Sequence, residues 1–243
     1  MGSSRLPGKT VADISGKPLL WHIIERLSFC LTLEKTVVAT TDRPEDEVIE
    51  SLCSSLDIPT FRGSDRDVLD RYYRCAALHG GRIVVRITAD DPFKDPVVID
   101  SMVRYMVENP RCDYVSNTIK PTYPEGIDAE VFTSQALEKA WKEAKLPSQR
   151  EHVTPYIWNN PELFSLKNLE HEVDLSHLRW TLDYPEDLRF ALEVYKRLYV
   201  PGRVFLMEDI LSLLAREPGL SLINSHIERN AGYKKSLLED ARQ

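Results

Sequence analysis

Three short segments of the 243-residue chain carry residue types suited to phosphate chemistry. The first, Gly2 to Lys9 (GSSRLPGK), packs two glycines, two serine hydroxyls and two cations into eight residues. Glycine lets backbone N–H groups approach an anion closely, and Arg5 and Lys9 can neutralise phosphate charge. Gly8, Lys9 and Thr10 match the tail of the GxxxxGK[ST] phosphate loop, but Gly2 lies one residue too far upstream for that motif. The same composition also suits a frayed polar terminus. The second segment is Asp90 and Asp91, at the carboxyl end of the apolar run RIVVRITA (Arg82 to Ala89), where open α/β sheets place their ligand crevices. Hard carboxylate oxygens there suit Mg2+, which is held by one or two carboxylates plus substrate phosphates. Asp-Asp-Pro is also turn chemistry, in which one acid caps a helix. The third is Asp183, which follows LRWTL and precedes Pro185, Glu186 and Asp187, a position open either to metal ligation or to helix capping. If the three segments converge, they make a phosphoryl or nucleotidyl transfer site.

Convergence requires a scaffold. Strands are expected at Lys35 to Thr40, Ile58 to Phe61, Arg82 to Ala89, Tyr114 to Asn117, Ile127 to Phe132 and Leu178 to Leu182. They alternate with helix-period segments at Pro18 to Ser28, after Thr41, Asp67 to Leu78, Pro96 to Val107, Ser134 to Lys145, Pro185 to Leu198 and Glu208 to Ala215. Such alternation implies crossover units and one α/β domain, residues 1–243, built on a mainly parallel central sheet with helices on both faces. No repeat or linker interrupts it, and an excursion is expected around residues 120–170.

Composition narrows the function. With 31 basic and 38 acidic side chains the formal net charge is -7, so the chain repels phosphate backbones at long range, which argues against a dedicated nucleic-acid binder. The 42% hydrophobic and 28% charged content is that of an ordinary globular protein. No apolar run approaches the roughly 18 residues of a transmembrane helix, and the first residues lack the apolar stretch of a secretory signal, so no membrane partner and a cytoplasmic location are expected. Cys30, Cys53, Cys75 and Cys112 form no CxxC pair and are expected as buried free thiols. Arg86, inside an apolar strand, is expected to be a buried ion-pair partner, and Trp158 and Trp180 to be core residues.

RLPGK, DISGKPLLWHIIERL, RGSDRDVLDRYY, RITADDP and LRWTLDYPEDL follow one another in this order. Over essentially its whole length the chain resembles the CTP-dependent sugar cytidylyltransferases of the spore coat polysaccharide biosynthesis type. The enzymes that activate 3-deoxy-manno-octulosonate and acylneuraminate are more distant relatives. The resemblance implies a Rossmann-like nucleotide-diphospho-sugar transferase fold. It implies an enzyme that uses CTP to activate a sugar acceptor, an ulosonic acid or a sugar phosphate, with Mg2+ as cofactor, releasing pyrophosphate and giving a CMP- or CDP-sugar for surface polysaccharide synthesis. It further implies that Gly2, Ser3, Ser4, Arg5 and Lys9 bind the nucleotide, that Gly63 and Ser64 lie near cytosine and ribose, and that Asp90 and Asp183 hold the metal. Asp128, Arg150 and His152, in segments Tyr123 to Asp128 and Arg150 to His152, would face the acceptor, and a homodimer would form through the excursion. Asp128 equally suits a pair with a neighbouring cation, and Arg150 and His152 suit the start of a helix.

Two departures stand out. In the resembling family a hydrophobic strand, with a further Arg, leads into the glycine-containing loop, whereas here Met1 lies inside that loop. The expectation is a sheet lacking its first strand, a native start upstream, and reduced activity of this form. Asp91 stands where relatives often carry an uncharged residue, and is expected either to bind a second metal or to be solvated. Two further readings remain: a glycosyltransferase of the same fold, although ADDP is not its usual D-x-D, and a truncated, inactive nucleotide-binding protein.

Overall fold

The computed structural model describes residues 5–229 and 231–241, so Gly2, Ser3 and Ser4 of the expected nucleotide loop lie outside the described residues. A short antiparallel pair, β1 (Asp13–Ile14) and β2 (Lys17–Pro18), turns the chain into helix α1 (Leu19–Leu27), which forms because Leu19, Leu20, Ile23 and Leu27 recur on one buried face. Strands β3 (Val38–Thr41) and β4 (Thr60–Gly63) then pair in parallel across helix α2 (Glu47–Ser55), with Val38 opposite Thr60. Helix α3 (Val68–His79) starts at Asp67, whose carboxylate accepts from Asp70 N at 2.9 Å, and stops at Gly80, whose φ of 69° suits glycine. Strand β5 (Ile83–Arg86) leads through Asp90 to helix α4 (Pro96–Glu108), capped by Asp95.

Strands β6 (Tyr114–Ser116) and β7 (Glu130–Thr133), helices α5 (Ser134–Glu143), α6 (Pro147–His152) and α7 (Pro155–Trp158), and strand β8 (Leu166–Asn168) follow. Helices α8 (Pro185–Leu198), α9 (Met207–Arg216) and α10 (Ala231–Asp240) complete the chain. Four strands form a sheet in the order β5-β7-β6-β8, and β3–β4 form another. The β6–β8 pair is parallel, but β7 runs antiparallel to both β5 and β6. Helix–strand alternation reads as a mainly parallel sheet; β7 departs from that because an irregular loop, with no crossover helix, joins it to β6. Among the described residues, β3 and β5 each have a ladder partner on one edge only.

The alternating side chains of β6 and β7 divide the core. Val115 and Val131 join Met102, Trp180 and Phe190 on one face, while Tyr114 and Phe132 meet Leu137 and Ala140 of α5 on the other. All four cysteines are buried free thiols. No helix among the described residues is long and apolar enough to cross a membrane.

Segment Leu178–Leu182, expected as a strand, makes only an isolated bridge between Arg179 and Glu125. It is gripped from two directions instead of laddered along one: Glu125 N donates to Leu178 O at 2.9 Å, Trp180 N to Glu125 O at 2.7 Å, and Leu182 N to Asp90 O at 2.8 Å. The grip needs Gly126, whose φ is 107°; a Cβ there would stand 2.6 Å from the carbonyl carbon of Trp180 and 2.7 Å from Thr181 N. Gly126→Ala is therefore expected to destabilise the protein by about 2 kcal/mol or more. A urea midpoint unchanged from wild type would contradict this account of the loop.

Candidate active site

Arg5, Lys9, Asp90 and Asp183 meet although they lie up to 178 positions apart. Gly8, at φ 71°, turns the chain into a single tight turn, Lys9–Val11, that starts with Lys9. Lys9 Nζ donates to Asp90 Oδ2 at 2.8 Å and to Asp183 Oδ1 at 2.6 Å, and Arg5 Nη2 donates to Asp183 Oδ2 at 2.7 Å. The Arg5 guanidinium also lies 5.5 Å from the ring centre of Tyr184. Burial opposes the charge on Lys9, yet Asp90 and Asp183 together hold its pKa above the ordinary lysine value. Burial likewise works against ionised Asp90, and the Lys9 ammonium overcomes it, leaving that carboxyl below its usual range.

Asp183 is placed by a residue four positions on. Asp187, in the first turn of α8 and fully buried, accepts from the backbone N–H groups of Asp183 and Tyr184 at 3.0 Å each, so the helix start fixes the Asp183 backbone. Arg179 grips Asp187 with both Nε and Nη2 at 2.9 Å, and sends Nη1 to Glu125 at 2.8 Å. Asn224 Nδ2 joins Asp187 Oδ1 at 2.9 Å and Arg179 O at 3.0 Å. Arg179, Glu125 and Asn224 carry no local sequence signal of this role, because their partners lie far away in sequence or on another segment. The signal that could have found Asp187 is its place three residues after Tyr184, the reciprocal position of a capping box.

Asp91 neither meets solvent nor stands free for a second metal. It is buried, accepting from Thr88 Oγ1 at 2.7 Å and from Lys94 Nζ at 2.6 Å, with burial pushing its pKa up against Lys94. Lys94 also donates to the carbonyl of Asp128, which fixes the 123–128 loop beside this pair. The Asp128 carboxylate accepts from Arg229 Nη2 at 3.2 Å, and burial lifts its pKa to about 7 despite that partner. Gly63 and Ser64 line a cavity of about 440 Å³ at the carboxyl ends of β3 and β4, with Asp42, Arg62, Asp70 and Arg74.

Arg150 and His152 are engaged inside the fold. Arg150 donates to Asp67 Oδ2 through Nε at 3.0 Å and Nη2 at 2.5 Å, and to Trp141 O at 2.7 Å, tying α6 to the cap of α3. His152 Nε2 lies 2.9 Å from Ser236 Oγ on α10, and burial lowers its pKa. Arg86 pairs with Glu130 across β5 and β7, and Trp180 is core, both as expected.

Among the described residues no three His, Cys, Asp or Glu side chains form a metal cage. Asp90 and Asp183 nevertheless aim two hard oxygens at one point, that of Lys9 Nζ. This donor set fits Mg2+ in its usual manner, one or two carboxylates with the remaining ligands from water and phosphate.

The sequence model of the family described as Cytidylyltransferase matches residues 1–210. The chain belongs to the cytidylyltransferase family. It is 40% identical over 238 residues to protein MJ1063 of Methanocaldococcus jannaschii, covering 96% of this chain and 94% of that protein. It is 30% identical over 226 residues to the spore coat polysaccharide biosynthesis protein SpsF of Bacillus subtilis, covering 90% and 92%. The solved structure of a cytidylyltransferase from Leptospira borgpetersenii matches with a TM-score of 0.88 at 32% identity, covering 94% of this chain and 95% of that one. The cytidylyltransferase fold thus covers nearly the whole chain, and all four of Arg5, Lys9, Asp90 and Asp183 fall within the family match.

Removing one partner of a buried ion pair strands the other charge, so Asp187→Asn is expected to cost about 3 kcal/mol or more, read as a lowered melting temperature. An unaltered melting temperature would show that Asp187 does not support the site. Asp128 makes a separate prediction. With its pKa raised to about 7, the folded protein holds a proton that the unfolded chain releases near pH 4. Its contribution is full below the unfolded value and is lost as pH rises toward 7. The stability of wild type relative to Asp128→Asn should therefore fall between about pH 4 and pH 7; a flat difference would contradict the raised pKa.

Proposed function

We propose that the chain transfers the cytidylyl group of CTP to a sugar acceptor and releases pyrophosphate. The observation that carries this reading is the meeting of two cations from the glycine-containing loop with two carboxylates from the ends of separate segments. An acceptor oxygen would attack the α-phosphorus in line, and Arg5 and Lys9 would offset the charge growing on the departing pyrophosphate. Asp90 and Asp183 would hold Mg2+, which when bound neutralises phosphate oxygens and lowers the barrier to their displacement. The rest is positioning, and no nucleophilic side chain is required.

Residues of the Gly63–Ser64 cavity would receive cytosine and ribose, and Gly2, Ser3 and Ser4 would extend the phosphate loop. Asp128 would lie on the acceptor side, with Arg150 and His152 acting through the α6 framework that they hold. The acceptor would be an ulosonic acid or a sugar phosphate destined for surface polysaccharide, a reading supported by the similarity to SpsF. A homodimer would form through the 120–170 excursion.

The test is pyrophosphate release from CTP and Mg2+ with a panel of ulosonic acids and sugar phosphates. Asp183→Ala should lower turnover by about 100-fold or more while circular dichroism stays native. Turnover at the wild-type rate would refute the assignment of Asp183.

A further inference from the structure

The point between Asp90 and Asp183 is taken by the chain itself. Lys9 Nζ lies 2.8 Å from one carboxylate and 2.6 Å from the other, whereas a Mg2+ shared by the same oxygens would draw them in to about 2.1 Å. Ammonium and divalent ion thus compete for one position, and their like charges forbid sharing it. We propose that Lys9 keeps this carboxylate pair closed to divalent cations until a triphosphate draws it away, which makes metal binding conditional on nucleotide. The inference rests on the cytidylyltransferase reading only for the identity of that triphosphate.

Charge balance supports the device. Arg5 and Lys9 match Asp90 and Asp183 one for one, while the nearby Arg179, 3.9 Å from Asp183, is already matched by Asp187 and Glu125. A divalent ion arriving alone would leave a net positive excess, and a triphosphate arriving alone a negative one. The two together offset one another in part and leave a smaller excess than the triphosphate alone, with the cations moved to the phosphate and the carboxylates turned to the metal.

Only some of these cations can move. Arg179 is held by buried bonds to Asp187 and Glu125 and has no freedom to leave. Lys9 is a compact charge on a flexible four-carbon stem, and both hydrogen bonds that its ammonium makes among the described residues go to the two carboxylates in question. Rotation of that stem frees both acids at once, with no backbone rearrangement. Arg5, at the mouth of the site with its side chain 34% exposed, pairs with Asp183 and does not occupy the shared point.

The experiment measures Mn2+ binding to the full chain without nucleotide, using electron paramagnetic resonance to count free Mn2+. Lys9→Met should bind Mn2+ at least 10-fold more tightly than wild type, and adding Asp183→Asn to Lys9→Met should abolish the gain. Lys9→Gln, with circular dichroism as a check on folding, guards against a defect peculiar to methionine. Mn2+ should also raise the melting temperature of Lys9→Met and leave that of wild type unmoved. Equal Mn2+ affinity in wild type and the Lys9 variants would overturn the proposal. Because these arms contain no nucleotide, a failure of wild type to bind CTP would count against the cytidylyltransferase reading and leave the Lys9 result standing.

Discussion

Asp90 and Asp183 face each other across one ammonium group, that of Lys9. Two like unit charges roughly 5 Å apart at an effective dielectric near 20 repel by about 3 kcal/mol, so neither acid would settle there unless a cation joined them and the backbone left no alternative. The backbone constraint comes from Leu182 N, which donates to the carbonyl of Asp90 and thereby binds the end of one segment to the residue before the other carboxylate. Gly126 permits the close packing that holds the Leu178–Leu182 segment in place.

Behind this half-buried cluster sit two buried groups of charges, Arg179 with Asp187 and Glu125, and Lys94 with Asp91. Burying charge carries a desolvation cost, and both groups offset it with further hydrogen bonds, from Asn224 and backbone N–H groups in one case and from Thr88 in the other. Their consequence is orientation. Asp187 aims the start of α8, and Lys94 links Asp91 to the Asp128 loop, so the acids that face the crevice are placed by acids and cations that do not.

Much of this was legible in the sequence, because some residues carry their positional meaning locally. Asp90 and Asp183 each close an apolar run and precede a proline, and α8 spans Pro185 to Leu198 as its Pro start, acidic first turn and period require. Arg5 and Lys9 were readable from their glycine-containing context. What was not legible depends on partners far away in sequence. Asp91 reads as a turn acid until Lys94 folds back on it, and Arg179 reads as a polar interruption in a strand until Asp187 and Glu125 surround it. The same cause turned Leu178–Leu182 from an expected strand into a segment gripped crosswise. It also hid the reversal of β7, since strand direction follows from the connection and not from side-chain pattern. β8, α6 and α7, each of six residues or fewer, are too short to display a period.

Calorimetric titration of the chain with CTP, ATP, GTP and UTP in the presence of Mg2+ tests the central claim most directly, because it needs no knowledge of the acceptor. The account predicts binding selective for CTP and weakened by EDTA. Binding of none of the four, or of all four alike, would contradict it.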